Sequence, residues 1–199
     1  MDNAINFFAR NQKPLGKTWE QWTREWWQWL LSYPKEINPA YQGTGLNFAI
    51  HNNVIFLAGV DSTIGPVERN ITIPSQKPIL FPIINFITSY LEDPKIKCDE
   101  DLISSTKSNI DDIRIKQARV DDINITAGYE TRVFSNIFTL YFPPNNLYDI
   151  ESGYTRACAD GYWCFLESLA PGEHTIHTFG SCLAGRIKIE STYYLNVTK

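Results

Sequence analysis

A chain of 199 residues with 43% hydrophobic and 20% charged residues can bury one sizeable core and lies outside the disordered class. Its formal net charge is −4 and its basic residues are scattered, which excludes the cationic stripe that nucleic acid or an anionic membrane requires. No apolar run reaches the roughly 18 residues of a membrane span, and the opening MDNAINFFARNQKPLGK holds no signal-peptide core, so the chain as written reads as cytoplasmic.

Residues 1–16 form an N-terminal extension to a single domain expected to span 1–199. The segment TWEQWTREWWQWLL, Thr18 to Leu31, then holds five of the six tryptophans. Thr18 and Gln21 make a capping box, and Glu20 lies in the first turn, where a negative charge suits the helix dipole. Trp19, Trp22, Trp26, Trp29, Leu30 and Tyr33 recur at helical spacing, with Trp27 and Leu31 widening the stripe. Gln21, Glu25, Gln28 and Ser32 hold the opposite side, and Glu20 and Arg24 stand at i,i+4. Pro34 ends the helix. A stripe this wide is expected to pack on a sheet as core, with Trp27, off the main line, the most exposed of the indoles.

Strands follow. NPAYQGTG is turn chemistry, and LNFAIHNNVIFLAGV reads as two strands about an Asn52-Asn53 turn. VERNITIP alternates and ends at a proline. KPILFPIIN is a short apolar run that its prolines would confine to strand ends or a sheet edge. CDEDLISSTKSNIDDI is polar with its acids early, a surface helix ending near Asp111. IRIKQARVDDINI and YETRVFSNIFTLYF resume the strands, a Pro-Pro-Asn-Asn loop follows, and GYWCFLESL, HTIHTFG and GRIKIESTYYLNV are read as an antiparallel meander with a Gly-rich bend. The fold class is therefore mainly β, a sandwich or jelly-roll-like pair of antiparallel sheets with an N-terminal amphipathic Trp-rich helix and a second short helix. Cys98, Cys158, Cys164 and Cys182 form no C-x-x-C pair; buried free thiols are favoured over one disulfide among the last three.

Several stretches fall in a familiar order: GKTWEQWTREWWQWLLSYP from Gly16, FLAG (Phe56–Gly59), RNITIP (Arg69–Pro74), FPIIN (Phe81–Asn85), YETRVFSNIF (Tyr129–Phe138), DGYW (Asp160–Trp163) and LAPGEHTI (Leu169–Ile176). Together they resemble a family of uncharacterised microbial proteins, many of which carry signal peptides. The resemblance covers nearly the whole chain but implies no activity. It implies a secreted or periplasmic origin with the leader removed. Two departures point instead to a reducing compartment: the leader is absent, and LNFAIHNN and RNITIP stand where members tend to carry cysteine.

Glu173-His174-x-x-His177 tempts a metal reading. On a strand, however, side chains three apart point to opposite faces, and Glu173 and His177 stand about 13 Å apart at roughly 3.3 Å per residue. No metal site and no cofactor are expected. There is no nucleophile elbow, P-loop or dinucleotide fingerprint. What remains is a set of polar residues within the family-like motifs: Arg69, Asn85, Arg132, Ser135, Asp160 and His174. One reading has them converge, an Arg pair holding an anion while Asp160 and His174 exchange a proton. The other makes Asp160-Gly161 a turn, Arg132 a partner for a carboxylate and Asn85 a loop tie.

Two functions follow, from different classes. The first is a non-catalytic binding module for a small molecule, carbohydrate or protein, using Arg69, Asn85, Arg132, Asp160, Trp163 and Trp27. The second is a hydrolase-type enzyme using Asp160 and His174 with Arg132 or Arg69. A homo-oligomer with the helix face as its interface is a third reading.

Overall fold

The computed structural model describes residues 5–41, 48–182 and 187–199. The Gly-rich bend and most of the turn after Tyr41 lie outside these residues. Among the described residues, ten strands build two five-stranded sheets. The first has the order β1 (Phe48–His51), β2 (Val54–Leu57), β4 (Ile79–Ser89), β8 (Gly153–Leu166), β7 (Phe138–Phe142). The second runs β3 (Val67–Pro74), β10 (Ile187–Thr198), β9 (Gly172–Cys182), β5 (Ile115–Val120), β6 (Ile123–Thr126). The mainly-β, sandwich-like class holds, although β2 with β4 and β3 with β10 are parallel pairs.

Side-chain alternation explains the layering. Ile55, Leu57, Ile79, Phe81, Cys164 and Leu166 point from the first sheet toward Ile71, Ile73, Val120, Ile176, Tyr193 and Leu195 of the second. Their neighbours Phe56, Leu80, Trp163 and Phe165 point the other way, onto α1 (Trp19–Leu31). The central strands of the first sheet are thus buried on both faces. This overturns the edge assignment of KPILFPIIN: β4 lies centrally, between β2 and β8, and a continuous apolar run is what a doubly covered strand requires. Pro82 is accommodated because the β4–β8 register slips between Pro82 and Ile84, a bulge where the ladder needs no N–H.

The capping box forms, Gln21 N donating to Thr18 Oγ1 at 3.3 Å and Thr18 N to Gln21 Oε1 at 2.8 Å. The tryptophan stripe is core, and several indoles are tied by their N–H groups: Trp22 to the Pro14 carbonyl at 2.8 Å, Trp26 to that of Leu57 at 2.9 Å. Trp27, expected to be exposed, is 4% exposed and packs edge-on to Trp26. Loops beside the sheet, carrying Ala40 and Leu147, cover the flank of the stripe as well as its centre. Glu20 pairs with Arg10, not Arg24.

Asn52 and Asn53 take positive φ (45° and 72°) in the β1–β2 hairpin, as expected. The terminal meander is corrected: β9 and β10 form a hairpin, but β8 belongs to the other sheet. Nor is Asp160-Gly161 a turn, since both lie within β8. Helix α2 (Asp99–Asp111) meets β8 on the face away from α1, Leu102 and Thr106 packing at Cys158. All four cysteines are free. No helix among the described residues is long and apolar enough to cross a membrane.

Candidate functional site

Arg132 and Asp160 do meet. The segment after the turn Tyr129–Thr131 runs beside β8, Val133 N donating to the Gly161 carbonyl and Ser135 N to that of Ala159, each at 2.8 Å. This lays the Arg132 guanidinium on Asp160, Nε at 3.0 Å and Nη2 at 2.6 Å from Oδ2, while Nη1 donates to Asp111 of α2 at 2.6 Å. Asp160 is 1% exposed, and its Oδ1 also accepts from Gly161 N at 2.8 Å. The paired carboxylate holds Arg132 above its ordinary pKa. A bidentate pair on a buried carboxylate, with every guanidinium nitrogen engaged, is a clip joining β8 to α2.

His174 lies on the other sheet with its own partners. Its Nδ1 is 2.7 Å from Asp121 Oδ2 and its Nε2 is 3.0 Å from the Ala170 carbonyl, so both ring nitrogens are occupied. His177 pairs with Glu190 at 2.9 Å, and among the described residues no three His, Cys, Asp or Glu side chains are grouped to hold a metal. Arg69 is buried beneath the β2–β3 connection, donating to the carbonyls of Ala58, Gly59 and Pro39 and to the Tyr193 hydroxyl. Ser135 Oγ accepts from Ala159 N, and Trp163 packs against Trp26 in the core. Each of these side chains ties parts of the fold together.

Asn85 and Trp27 are different. The bulge at Pro82 shifts β4 by one residue, which turns Asn85 and Ile87 toward the α1 side, opposite Gly161 and Ala159. Gly161 is required there, because a Cβ on it would lie 2.5 Å from Asn85 Cβ. β2 pairs with β4 only at Ile55 and Phe56, and the chain then departs through Gly59–Ser62. Beside this stretch of β4 lies a cavity of about 240 Å³, walled by Trp26, Trp27 and Leu30 of α1, by Ile84–Ile87, and by Leu147 and Ile189. Asp61, Glu92 and Tyr148 supply polar groups to the same wall.

Three buried polar atoms in this lining have no hydrogen-bond partner among the described residues: Trp27 Nε1, Asn85 Nδ2 and Glu92 Oε2. Trp29, Trp163 and the Nε of Arg69 also leave an N–H unpaired, but none of these three residues lines the cavity. Burial, followed by the charge of Asp93, pushes the Glu92 carboxyl up to about 7. Burial, then the charges of Glu92 and Asp61, raises Tyr148 well above its ordinary value. Two residues with an unpaired donor and one with an unpaired carboxyl oxygen thus line one apolar, aromatic-walled space, the make-up of a small-molecule pocket.

Sequence reasoning named Asn85 and Trp27 but not Glu92, Asp61, Tyr148 or Phe86 as their companions. Asn85 carried a usable signal, a polar residue closing an apolar run. Glu92 carried none, since its turn after β4 has no periodicity. Comparison of the chain with family models, curated proteins and solved structures found no match.

Proposed function

We propose that this protein is a non-catalytic β-sandwich binding module whose ligand is a small molecule held in the cavity beside β4 and the C-terminal half of α1. The observation that carries the reading is that Trp27, Asn85 and Glu92, each with a buried and unpaired polar atom (Nε1, Nδ2 and Oε2), all line one cavity. Native folds pair more than nine in ten such groups, and each one left unpaired costs about 1–3 kcal/mol. Three in one lining are accounted for when a bound molecule completes them. The volume equals that of about eight waters, which sets the ligand at the size of a small metabolite.

The test is the indole N–H spectrum of 15N-labelled protein, with the Trp27 signal assigned by Trp27→Phe, titrated with neutral sugars, small carboxylic acids and small amines. The expected result is a saturable shift of the Trp27 signal with one chemical class, abolished by Ser62→Phe, which places a ring at an exposed position of the cavity wall. A Trp27 signal that ignores every class, or that still shifts in Ser62→Phe, overturns the proposal.

A further inference from the structure

The chemistry of the cavity lining also narrows the ligand class. This step rests on the binding reading above and goes beyond it.

We infer that the cavity selects a small organic cation, an ammonium group held by Glu92 on a short chain whose carbonyl or hydroxyl oxygen accepts from Trp27 and Asn85. Among the described residues its charge is one-sided: Glu92 and Asp61 line it, and no Lys, Arg or His does. A carboxylate or phosphate ligand would meet two carboxylates with no counter-charge, whereas an ammonium offers Glu92 Oε2 the donor it lacks. The walls agree, because Trp26, Trp27, Phe86 and Tyr148 are ring systems, the surface that best stabilises a desolvated cation. The acids alone would define no site. The second, independent feature is Trp27, a residue of the cavity wall whose side chain is almost wholly buried yet whose N–H is unpaired. Trp27 Nε1 and Asn85 Nδ2 are donors only, so the far end of the ligand must present an acceptor. A neutral polyol would meet these donors but leave the carboxylate without a counter-ion.

The probes are 4-aminobutanamide and its uncharged counterpart butanamide, at pH 8, where an alkyl ammonium is still protonated. Both are read on the Trp27 indole signal in the full chain, wild type and Glu92→Gln. The inference expects 4-aminobutanamide to bind at least about ten-fold more tightly than butanamide, the scale of a hydrogen bond to a charged group, and Glu92→Gln to erase that preference. Glu92→Asp is expected to restore part of it. Equal binding of the two probes, or a preference that survives Glu92→Gln, overturns the cation while leaving the cavity as a binding site. A Trp27 shift with sugars or carboxylates alone does the same. If no probe of any class moves the Trp27 signal, the cavity reading falls and the cation with it.

Discussion

Glu92→Gln should make the protein more stable at alkaline pH, although it removes a group here assigned to ligand binding. In the folded chain the Glu92 carboxyl is pushed up to about 7 by burial and by Asp93, against an ordinary value of 4.5. The folded state therefore holds a proton that the unfolded state has released, and unfolding becomes easier as pH climbs through that window. The contribution is intact below about 4.5 and lost as pH rises through about 7. The gap corresponds to about 3 kcal/mol at 1.36 kcal/mol per pH unit. Glutamine has nearly the shape of the protonated acid and cannot ionise. Wild type and variant should thus agree in stability near pH 4, while at pH 8 the variant should lead by about 3 kcal/mol. For a chain of this size that is a Tm difference of about 6–12 °C. Urea unfolding at pH 4, 6 and 8 reads the difference directly. Parallel stability profiles for the two proteins, or a less stable variant at pH 8, would refute the claim that Glu92 is buried without a counter-charge.

Three further outcomes are expected. Gly161→Ala forces a Cβ to within 2.5 Å of Asn85 Cβ and 2.9 Å of the Ile84 carbonyl; urea unfolding should show a loss of about 1–3 kcal/mol, and the Trp27 indole signal should move with the displaced Asn85. Arg132→Met strands the Asp160 carboxylate, whose side chain is 0% exposed, and should cost about 3–5 kcal/mol in the same assay, with Asp160→Asn in the same chain recovering much of it. Thr18→Ala removes the acceptor for Gln21 N and should lower the unfolding free energy by about 1 kcal/mol, seen as a lower midpoint in far-UV circular dichroism.

The fold was legible wherever one physical signal acted alone. The capping box and the 3.6-residue spacing of the tryptophans specify α1, and Asn52-Asn53 specifies the hairpin, because both are local. The reading of β4 went wrong where two local rules competed. The prolines at 78 and 82 argued for an edge, and the unbroken apolar run argued for a strand covered on both faces. The run prevailed because α1 and the second sheet cover both faces, and a bulge absorbs Pro82. Trp27 misled for a related reason: helical spacing measures distance from the centre of the stripe and knows nothing of the loops that close over its flank.

The site was harder to read because a functional polar group is distinguished by its lack of a partner, and partners come from distant parts of the chain. Asp160 and Glu92 show this. Both are acidic residues withdrawn from water, and a sequence presents them alike. Asp160 meets Arg132, 28 residues away, in three hydrogen bonds, and becomes a joint between β8 and α2. Glu92 meets no cation among the described residues, and it lines a cavity together with Trp27 and Asn85, whose N–H groups are likewise unpaired. Neutralised burial is a device of folding. Burial left unneutralised, in company with complementary donors, costs stability that folding alone does not return, and the proposed cationic ligand would supply the missing charge. The same reasoning separates the tryptophans. The indoles of Trp22 and Trp26 are spent on the Pro14 and Leu57 carbonyls; of the two helix indoles whose N–H is unpaired, Trp27 and Trp29, Trp27 is the one whose residue lines the cavity.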